Sequence, residues 1–289
     1  MASLSAYDEE ALKRIEKWRN PDRGAIINKV VDVARYAGKP IEWVSGQVTN
    51  APLIGDVIKS AASGIFSLCN DAAQWSISHE YVFKDFRSSG HDVSKLEHIH
   101  TLELQKIEKM IGWVPTQYSG ILAAEGIATG FAGAPGLIAD IPSLIILSMR
   151  AIGVYATYYG FDVNYQEERL FALQVLSEAS GVNDATKAAF MANLSKIAKQ
   201  VAQKKTWEQL EKDALVRLIR RIAEAIGQKI TKDKMAQVIP VVGSVVGGGF
   251  NYYYMSKVCK AANYMYMEKF IDRKRLRLDE QDLPPTVPA

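Results

Sequence analysis

Residues 133–161 have the sequence GAPGLIADIPSLIILSMRAIGVYATYYGF, and this stretch decides the fold class. From Ile141 to Phe161 the only charged residue is Arg150. Ala134-Pro135-Gly136 marks a break between two apolar stretches, because proline has no amide hydrogen to donate to the preceding turn of a helix. We therefore expect a long apolar helix to follow this break.

The sequence upstream of the break has the composition of a closely packed helix. Glu125 is the only charged residue from Met110 to Ala139. Gly126, Gly130 and Gly133 recur at helical spacing, and small residues at such positions let two helix backbones approach closely. The two stretches together predict a glycine-rich helical hairpin at the centre of the chain.

The rest of the chain also favours helices. The 289 residues are 48% hydrophobic and 23% charged, which excludes a wholly disordered chain, and two cysteines exclude a disulfide-rich scaffold. Hairpin-turn dipeptides and alternating strand patterns are scarce. We predict an all-α, multi-helix protein with an N-terminal helical region (1–94), a helical domain (95–275) and a flexible tail (276–289). Helical spacing marks apolar faces at Ala11, Ile15 and Trp18; at Val57, Ala61 and Ile65; from Leu96 to Ile107; from Gln166 to Ser180; and from Val258 to Phe270.

A second nearly apolar segment runs from Met235 to Ser256, and its 22 residues carry no charge. Its length suits a transmembrane helix. Gly243 and Gly247 form a GxxxG pair, but the three consecutive glycines weaken a helix and Asn251 makes the segment amphipathic. A bilayer span, a tightly packed soluble core and reversible insertion at the membrane interface all remain open.

Positive charge is concentrated between Ser195 and Lys234. This stretch has eleven Lys or Arg residues against five Asp or Glu residues, while the whole chain has a net charge of only +3. It predicts either a solvated helix face or a surface that meets anionic lipid headgroups. No aromatic platform interleaves the charges, so we expect no nucleic-acid partner. The basic pairs in this stretch are Lys204-Lys205 and Arg220-Arg221.

Two separated blocks resemble the EcsC family, which is named after a bacterial ABC-transporter locus. The first runs from Gly133 through Arg150 to Glu168-Arg169, and the second from Ile239 through Asn251 to Phe270. The resemblance covers roughly residues 95–272. It implies a helical, membrane-linked protein and supplies no catalytic residue.

The same blocks contain charged and polar residues in apolar surroundings. Buried charges need partners, because uncompensated burial is costly. Asp140 is interpreted as the cap of a helix with Pro142 in its first turn, and Arg150 as its partner or that of a later carboxylate. The alternative is a polar pocket for a lipid headgroup or a small anion. Its candidate ligand-binding residues are Asp140, Arg150, Asp162, Glu168, Arg169 and Asn251.

All four histidines lie within 22 residues, from His79 to His100. Histidine and carboxylate ligands can bind zinc or iron, so Glu97, His91, His98 and His100 form a candidate metal site. On a helix, however, His98 and His100 point in nearly opposite directions. Histidines at the surface near the Ser88-Ser89-Gly90 loop are the alternative, and no other cofactor is predicted.

No Walker A loop, dinucleotide fingerprint, HExxH motif or nucleophile elbow occurs, so the sequence does not support an enzyme. The first hypothesis is a cytoplasmic accessory protein, peripheral at the inner face of the membrane. Its partner would be anionic lipid or a membrane protein complex. A soluble ligand-binding protein or hydrolase using the polar pocket is the second hypothesis, and a metal-binding protein is the third. The glycines and basic residues expected to contact the membrane are Gly126, Gly130, Gly133, Gly243, Gly247, Lys204, Lys205, Arg220 and Arg221.

Overall fold

The computed structural model describes residues 3–20, 53–71, 73, 75–121, 133–180, 219, 223–224 and 245–281. Within these residues all regular secondary structure is helical, which confirms the all-α prediction. The helices whose bounds lie within the described residues are, in chain order, α1 (Ala6–Arg19), α2 (Leu53–Asn70), α3 (His79–Ser88), α4 (Leu96–Ile99), α5 (Leu104–Ile111), α6 (114–121), α7 (Gly133–Tyr158), α8 (Gln166–Ala179) and α9 (Val245–Gln281).

Helices α7 and α9 pack against each other and run in the same direction. The Tyr159 hydroxyl, just after α7, donates a 2.9 Å hydrogen bond to Asn263 of α9. One turn earlier in each helix, the buried side chains of Tyr155 and Cys259 meet. Burial raises the pKa of the Cys259 thiol to about 12, as expected for the inert cysteine that its apolar context predicts.

Helix α8 lies antiparallel to α9. Glu168 near the start of α8 pairs with Lys269 near the end of α9, and Ser180 after α8 meets the Tyr254 hydroxyl at 3.1 Å. The apolar side chains between these two contacts are buried, which joins α7, α8 and α9 in one core.

Helix α1 packs across the C-terminal part of α9. Its N-terminus is fixed by a capping box, in which Ser5 and Asp8 each bond the other's backbone amide. Asp8 is fully buried and forms an ion pair with Lys274, and Trp18 stacks on Tyr264 with ring centroids 5.2 Å apart. The expected apolar face of α1 is therefore buried against α9.

The structure contradicts the interpretation of Asp140 as a helix cap. Helix α7 begins at Gly133, seven residues earlier, so Asp140 and Pro142 both lie inside it. Pro135 falls in the first turn, where the missing amide hydrogen costs no helical hydrogen bond. The break in the sequence is thus the beginning of α7.

The predicted amphipathic run from Leu96 to Ile107 is also divided into two helices. Helix α4 ends at Ile99, and the Thr101 hydroxyl donates to the His98 carbonyl at 2.7 Å. The chain turns at Leu102 before α5 begins at Leu104. This turn lets both the α5 apolar face and His100 reach the core.

The predicted helical hairpin is described only in part, because its first arm is described as far as residue 121 and its second arm is α7. Gly126 and Gly130 lie outside the described residues, so the hairpin stays a prediction. Gly243, Lys204, Lys205, Arg220 and Arg221 also lie outside them, whereas Gly133 begins α7 and Gly247 lies in α9. Among the described residues, no helix is long and apolar enough to cross a membrane.

The second apolar segment continues directly into the predicted final helix. Helix α9 begins at Val245 and extends for 37 residues to Gln281. Residues 276–281, which the sequence assigned to the tail, are therefore helical. The division of the chain into domains stays a prediction.

Gly153 in α7 provides a test of this packing. A Cβ at this position would lie 2.8 Å from the Trp75 carbonyl oxygen and 3.2 Å from the Trp75 ring. Because the buried Trp75 also bonds the Leu68 carbonyl, it has little room to move. We expect Gly153→Ala to lower the free energy of unfolding by about 2 kcal/mol, measured by urea denaturation.

Gly120→Ala is the matched control. Nothing lies within 4 Å of a Cβ at this helical position, so alanine should leave stability unchanged or raise it by up to about 1 kcal/mol. Equal effects of the two substitutions would contradict the close contact of α7 with Trp75.

Candidate functional site

The candidate site is built around the turn that ends α7. The Phe161 amide bonds the Ala156 carbonyl at 2.8 Å and the Gly160 amide bonds the Thr157 carbonyl at 3.0 Å, the pattern of a Schellman motif. Gly160 has a φ of +84°, which favours glycine. A Cβ here would also lie 2.6 Å from His100 Nε2 and 3.0 Å from the Leu96 carbonyl. The turn therefore requires glycine for its backbone angle and for the approach of α4.

His100 fills the space beside this turn. Its side chain is buried, and its ring lies 5.3 Å from the Phe161 centroid and 6.2 Å from that of Phe270. Burial, together with the positive charges of Arg273 and Arg277, lowers the pKa of His100 to about 4. His100 is consequently neutral at physiological pH.

A largely buried ion pair lies on the other side of Phe161. Glu168 bonds Lys269, whose ammonium lies 4.7 Å from the Phe161 ring centroid and 4.4 Å from that of Phe171. Burial raises the pKa of Glu168 and lowers the pKa of Lys269, although the opposite charges resist both shifts. The aromatic faces give the ammonium further stabilisation through cation–π contacts.

Lys269, Arg273 and Arg277 are spaced one turn apart and share one side of α9. Arg277 donates a hydrogen bond to the His100 carbonyl, whereas its buried Nε atom has no hydrogen-bond partner. Among the described residues, Lys269 has a carboxylate partner in Glu168, and neither Arg273 nor Arg277 forms an ion pair. This end of α9 therefore carries two cations without an opposite charge in contact.

The sequence profile of the EcsC protein family matches residues 9–271. The chain belongs to this family. The match begins within α1 and so extends beyond residues 95–272, to which the resemblance was assigned. No solved structure is significantly similar to the chain.

Two relatives come from Bacillus subtilis (strain 168). The chain is 30% identical to Protein EcsC over 149 residues, which is 52% of this chain and 57% of that protein. It is 22% identical to the Uncharacterized protein YdbA over 276 residues, covering 95% of this chain and 96% of that protein. The match to Protein EcsC thus spans little more than half of its length.

The candidate ligand-binding residues lie in different parts of the fold. Asp162 pairs with His79 at 3.3 Å, and Arg169 donates to the Asn164 carbonyl at 3.2 Å, both close to the Gly160 turn. Buried Asn251 lies 18 residues before Lys269 in α9, about 27 Å along the helix axis.

Arg150 and Asp140 lie further back along α7. Arg150 is exposed rather than buried, and its hydrogen bond to Tyr118 opposes the rise in the Tyr118 pKa that burial causes. Asp140 lies ten residues earlier in the same helix. Only Asp162, Glu168 and Arg169 of the candidate set therefore lie at the end of α7.

The candidate metal ligands are not clustered either. Within the described part of the chain, no three His, Cys, Asp or Glu side chains are grouped as metal ligands. Ser94 contacts the His98 ring at 3.4 Å, His91 lies beside Phe86, and His100 is buried. The alternative of surface histidines does not apply to His100.

The sequence analysis missed the arginines of α9. Five of the nine residues in the sequence KFIDRKRLR, 269–277, are basic, and this density was a detectable signal. It was overlooked because the stretch from Ser195 to Lys234 carries more basic residues. Arg273 and Arg277 differ from the other basic residues of this stretch because they form no ion pair with a described residue. Which residues are paired depends on tertiary contacts and has no local signal in the sequence.

The low pKa of His100 predicts a pH dependence of stability. The unfolded chain takes up a proton below about pH 6.5, whereas folded His100 does not until about pH 4. The free energy of unfolding should therefore fall as the pH decreases from 6.5 to 4. His100→Gln should make this decrease shallower in urea denaturation at several pH values.

His91→Gln serves as the control because His91 is only half-buried. It should retain the wild-type slope. A wild-type slope in His100→Gln would show that His100 protonation is not linked to folding.

The Glu168–Lys269 pair predicts a strongly non-additive mutant cycle. Lys269→Met leaves the Glu168 carboxylate buried without its partner and should destabilise the fold by up to about 3 kcal/mol. The Glu168→Leu/Lys269→Met double variant should recover most of this loss, because it buries no charge. Urea denaturation of the wild type, the two single variants and the double variant gives the coupling. Additive effects would contradict a buried, coupled pair.

Proposed function

We propose that this EcsC-family member is a peripheral accessory protein at the inner face of the membrane. It contacts anionic lipid headgroups through the C-terminal part of α9, residues 269–277, which we call the α9 basic segment. The observation that supports this most strongly is that Arg273 and Arg277 in that segment form no ion pair with any described residue. Lipid phosphates supply the missing negative charge.

The surroundings of these arginines favour a membrane surface. Leu276 lies between Arg275 and Arg277 and is 63% exposed. Tyr165, which follows the Gly160 turn at the same end of the fold, is 65% exposed. Apolar and tyrosine side chains beside basic residues suit the headgroup region, where one part of the side chain is apolar and the other is wet.

Peripheral contact requires no spanning helix. Each basic residue near an anionic surface contributes about 1 kcal/mol, and the attraction is screened by salt. The basic pairs Lys204-Lys205 and Arg220-Arg221 would add to this attraction if they face the same surface. Insertion of the glycine-rich helices is not needed for the proposal.

We expect the purified protein to float with vesicles of phosphatidylcholine containing phosphatidylglycerol at low salt, and to be released at high salt. Arg273→Gln should weaken binding about fivefold, which corresponds to 1 kcal/mol. Leu276→Ser should also weaken binding through loss of apolar contact. Flotation with vesicles of pure phosphatidylcholine gives the baseline.

The matched control is Lys84→Gln, which removes one exposed positive charge from α3. It should leave vesicle binding close to that of the wild type. Failure to float at any salt concentration, or equal losses for Lys84→Gln and Arg273→Gln, would reject membrane contact through the α9 basic segment.

A further inference from the structure

We propose that Arg273 and Arg277 together bind a phosphate monoester where α9 crosses the backbone of His100. This inference rests on the proposed function and names the chemistry that the α9 basic segment recognises. A monoester is distinguished from the phosphodiester of an ordinary headgroup by its second negative charge. Both a lipid headgroup and a free phosphate can supply this group.

The first argument is that the other charged side chains of the α9 basic segment are already paired. Lys269 is held by Glu168, Lys274 by Asp8, and Arg275 lies 3.6 Å from Asp272. On the opposite side of α9, Glu268 is paired with Arg19. Arg273 and Arg277 are left with no carboxylate in contact among the described residues.

The second argument is the mutual repulsion of the two arginines. Burial and the charge of Arg273 both lower the pKa of Arg277, so the two guanidinium groups are close enough to repel each other. Two cations held one turn apart on the same helix face are stabilised by an anion that lies between them. A dianion compensates both charges, which a singly charged diester cannot do alone.

The third argument is the donor geometry. Arg277 is positioned by its bond to the His100 carbonyl, and its Nε hydrogen is buried without an acceptor. Arg273 is exposed, so its fork of N–H groups can reach a ligand from solvent. Planar guanidinium groups bind phosphate oxygens through paired hydrogen bonds, a geometry that lysine does not offer.

His100 provides a readout that lies beside the proposed ligand. The charges facing its ring are Arg273 and Arg277 from α9 and Glu97 from α4, and the Gly160 backbone packs against it. Both arginines lower the pKa of His100. A phosphate bound between them would offset their charges, and this change in the field at the ring would shift the His100 resonances.

The test follows the His100 ring resonances by NMR at about pH 8, where inorganic phosphate is mainly a dianion, as sodium phosphate replaces sodium chloride at constant ionic strength. We expect a saturable shift of these resonances in the wild type and in Arg275→Gln. In Arg273→Gln phosphate should cause no such shift, because the anion loses one of its two guanidinium partners. The His91 ring should respond equally in both salts.

Arg275→Gln is the matched control because it removes the same charge from an exposed position of the same helix. Unchanged His100 ring resonances in phosphate would overturn the proposal if they are found in the wild-type protein. An equal phosphate effect in Arg273→Gln and Arg275→Gln would also overturn it, since the effect would then be a general response to salt.

Vesicles distinguish the source of the phosphate group. We compare phosphatidylcholine vesicles containing phosphatidic acid with those containing phosphatidylglycerol, matched for surface potential. About tenfold tighter binding to phosphatidic acid, lost in Arg273→Gln but kept in Arg275→Gln, supports a lipid monoester.

A His100 response to inorganic phosphate without flotation on either vesicle supports a free phosphate ligand and rejects the membrane function. Equal flotation on both vesicles without a His100 response keeps the membrane function and rejects the monoester site.

Discussion

The end of the fold that carries the candidate site depends on the absence of a side chain at Gly160. Its positive φ closes the Schellman turn after α7, and the missing Cβ lets the His100 ring and the Leu96 carbonyl approach the backbone. Phe161, the next residue, then packs between His100 and Lys269. A single steric constraint thus positions both the buried histidine and the buried ion pair.

The charges of α9 follow from what packs against each side of the helix. Asp8 of α1 pairs with Lys274 of α9, and Arg19 of α1 pairs with Glu268 of α9. These two pairs together leave the net charge of α9 and its partners unchanged. Helix α8 supplies Glu168 to Lys269. Segment 96–100 offers a carbonyl group to Arg277 but no carboxylate in contact. Arg277 is therefore positioned without being neutralised, which leaves its charge available to the proposed anion.

More of the fold than of the candidate site could be predicted from the sequence. Apolar spacing at Ala11 and Ile15 predicted the buried face of α1, because that signal is local and repeats every turn. The start of α7 was misjudged because Asp140-x-Pro142 has the local features of a helix beginning, while Pro135 and the packing of α7 determine the real one. Arg150 was expected to be buried by its apolar neighbours in sequence, yet one exposed position per turn is enough to place it at the surface. Pairing across α1, α8 and α9 involves residues more than one hundred positions apart, and no local pattern encodes it.

The continuous α9 helix joins the end of the apolar segment, the predicted final helix and the start of the predicted tail. Asn251 and Tyr254 near its beginning are buried against the core, whereas Arg273 and Leu276 near its end are exposed. A helix of 37 residues spans about 55 Å, and buried side chains recur along it from Asn251 to Ile271, so its packing fixes the position and angle of the basic segment. Because the Arg277 guanidinium is held by the His100 carbonyl before any ligand arrives, its contact with an anion costs little side-chain entropy. This preorganisation is what distinguishes a specific phosphate site from the diffuse attraction of mobile basic residues to a membrane.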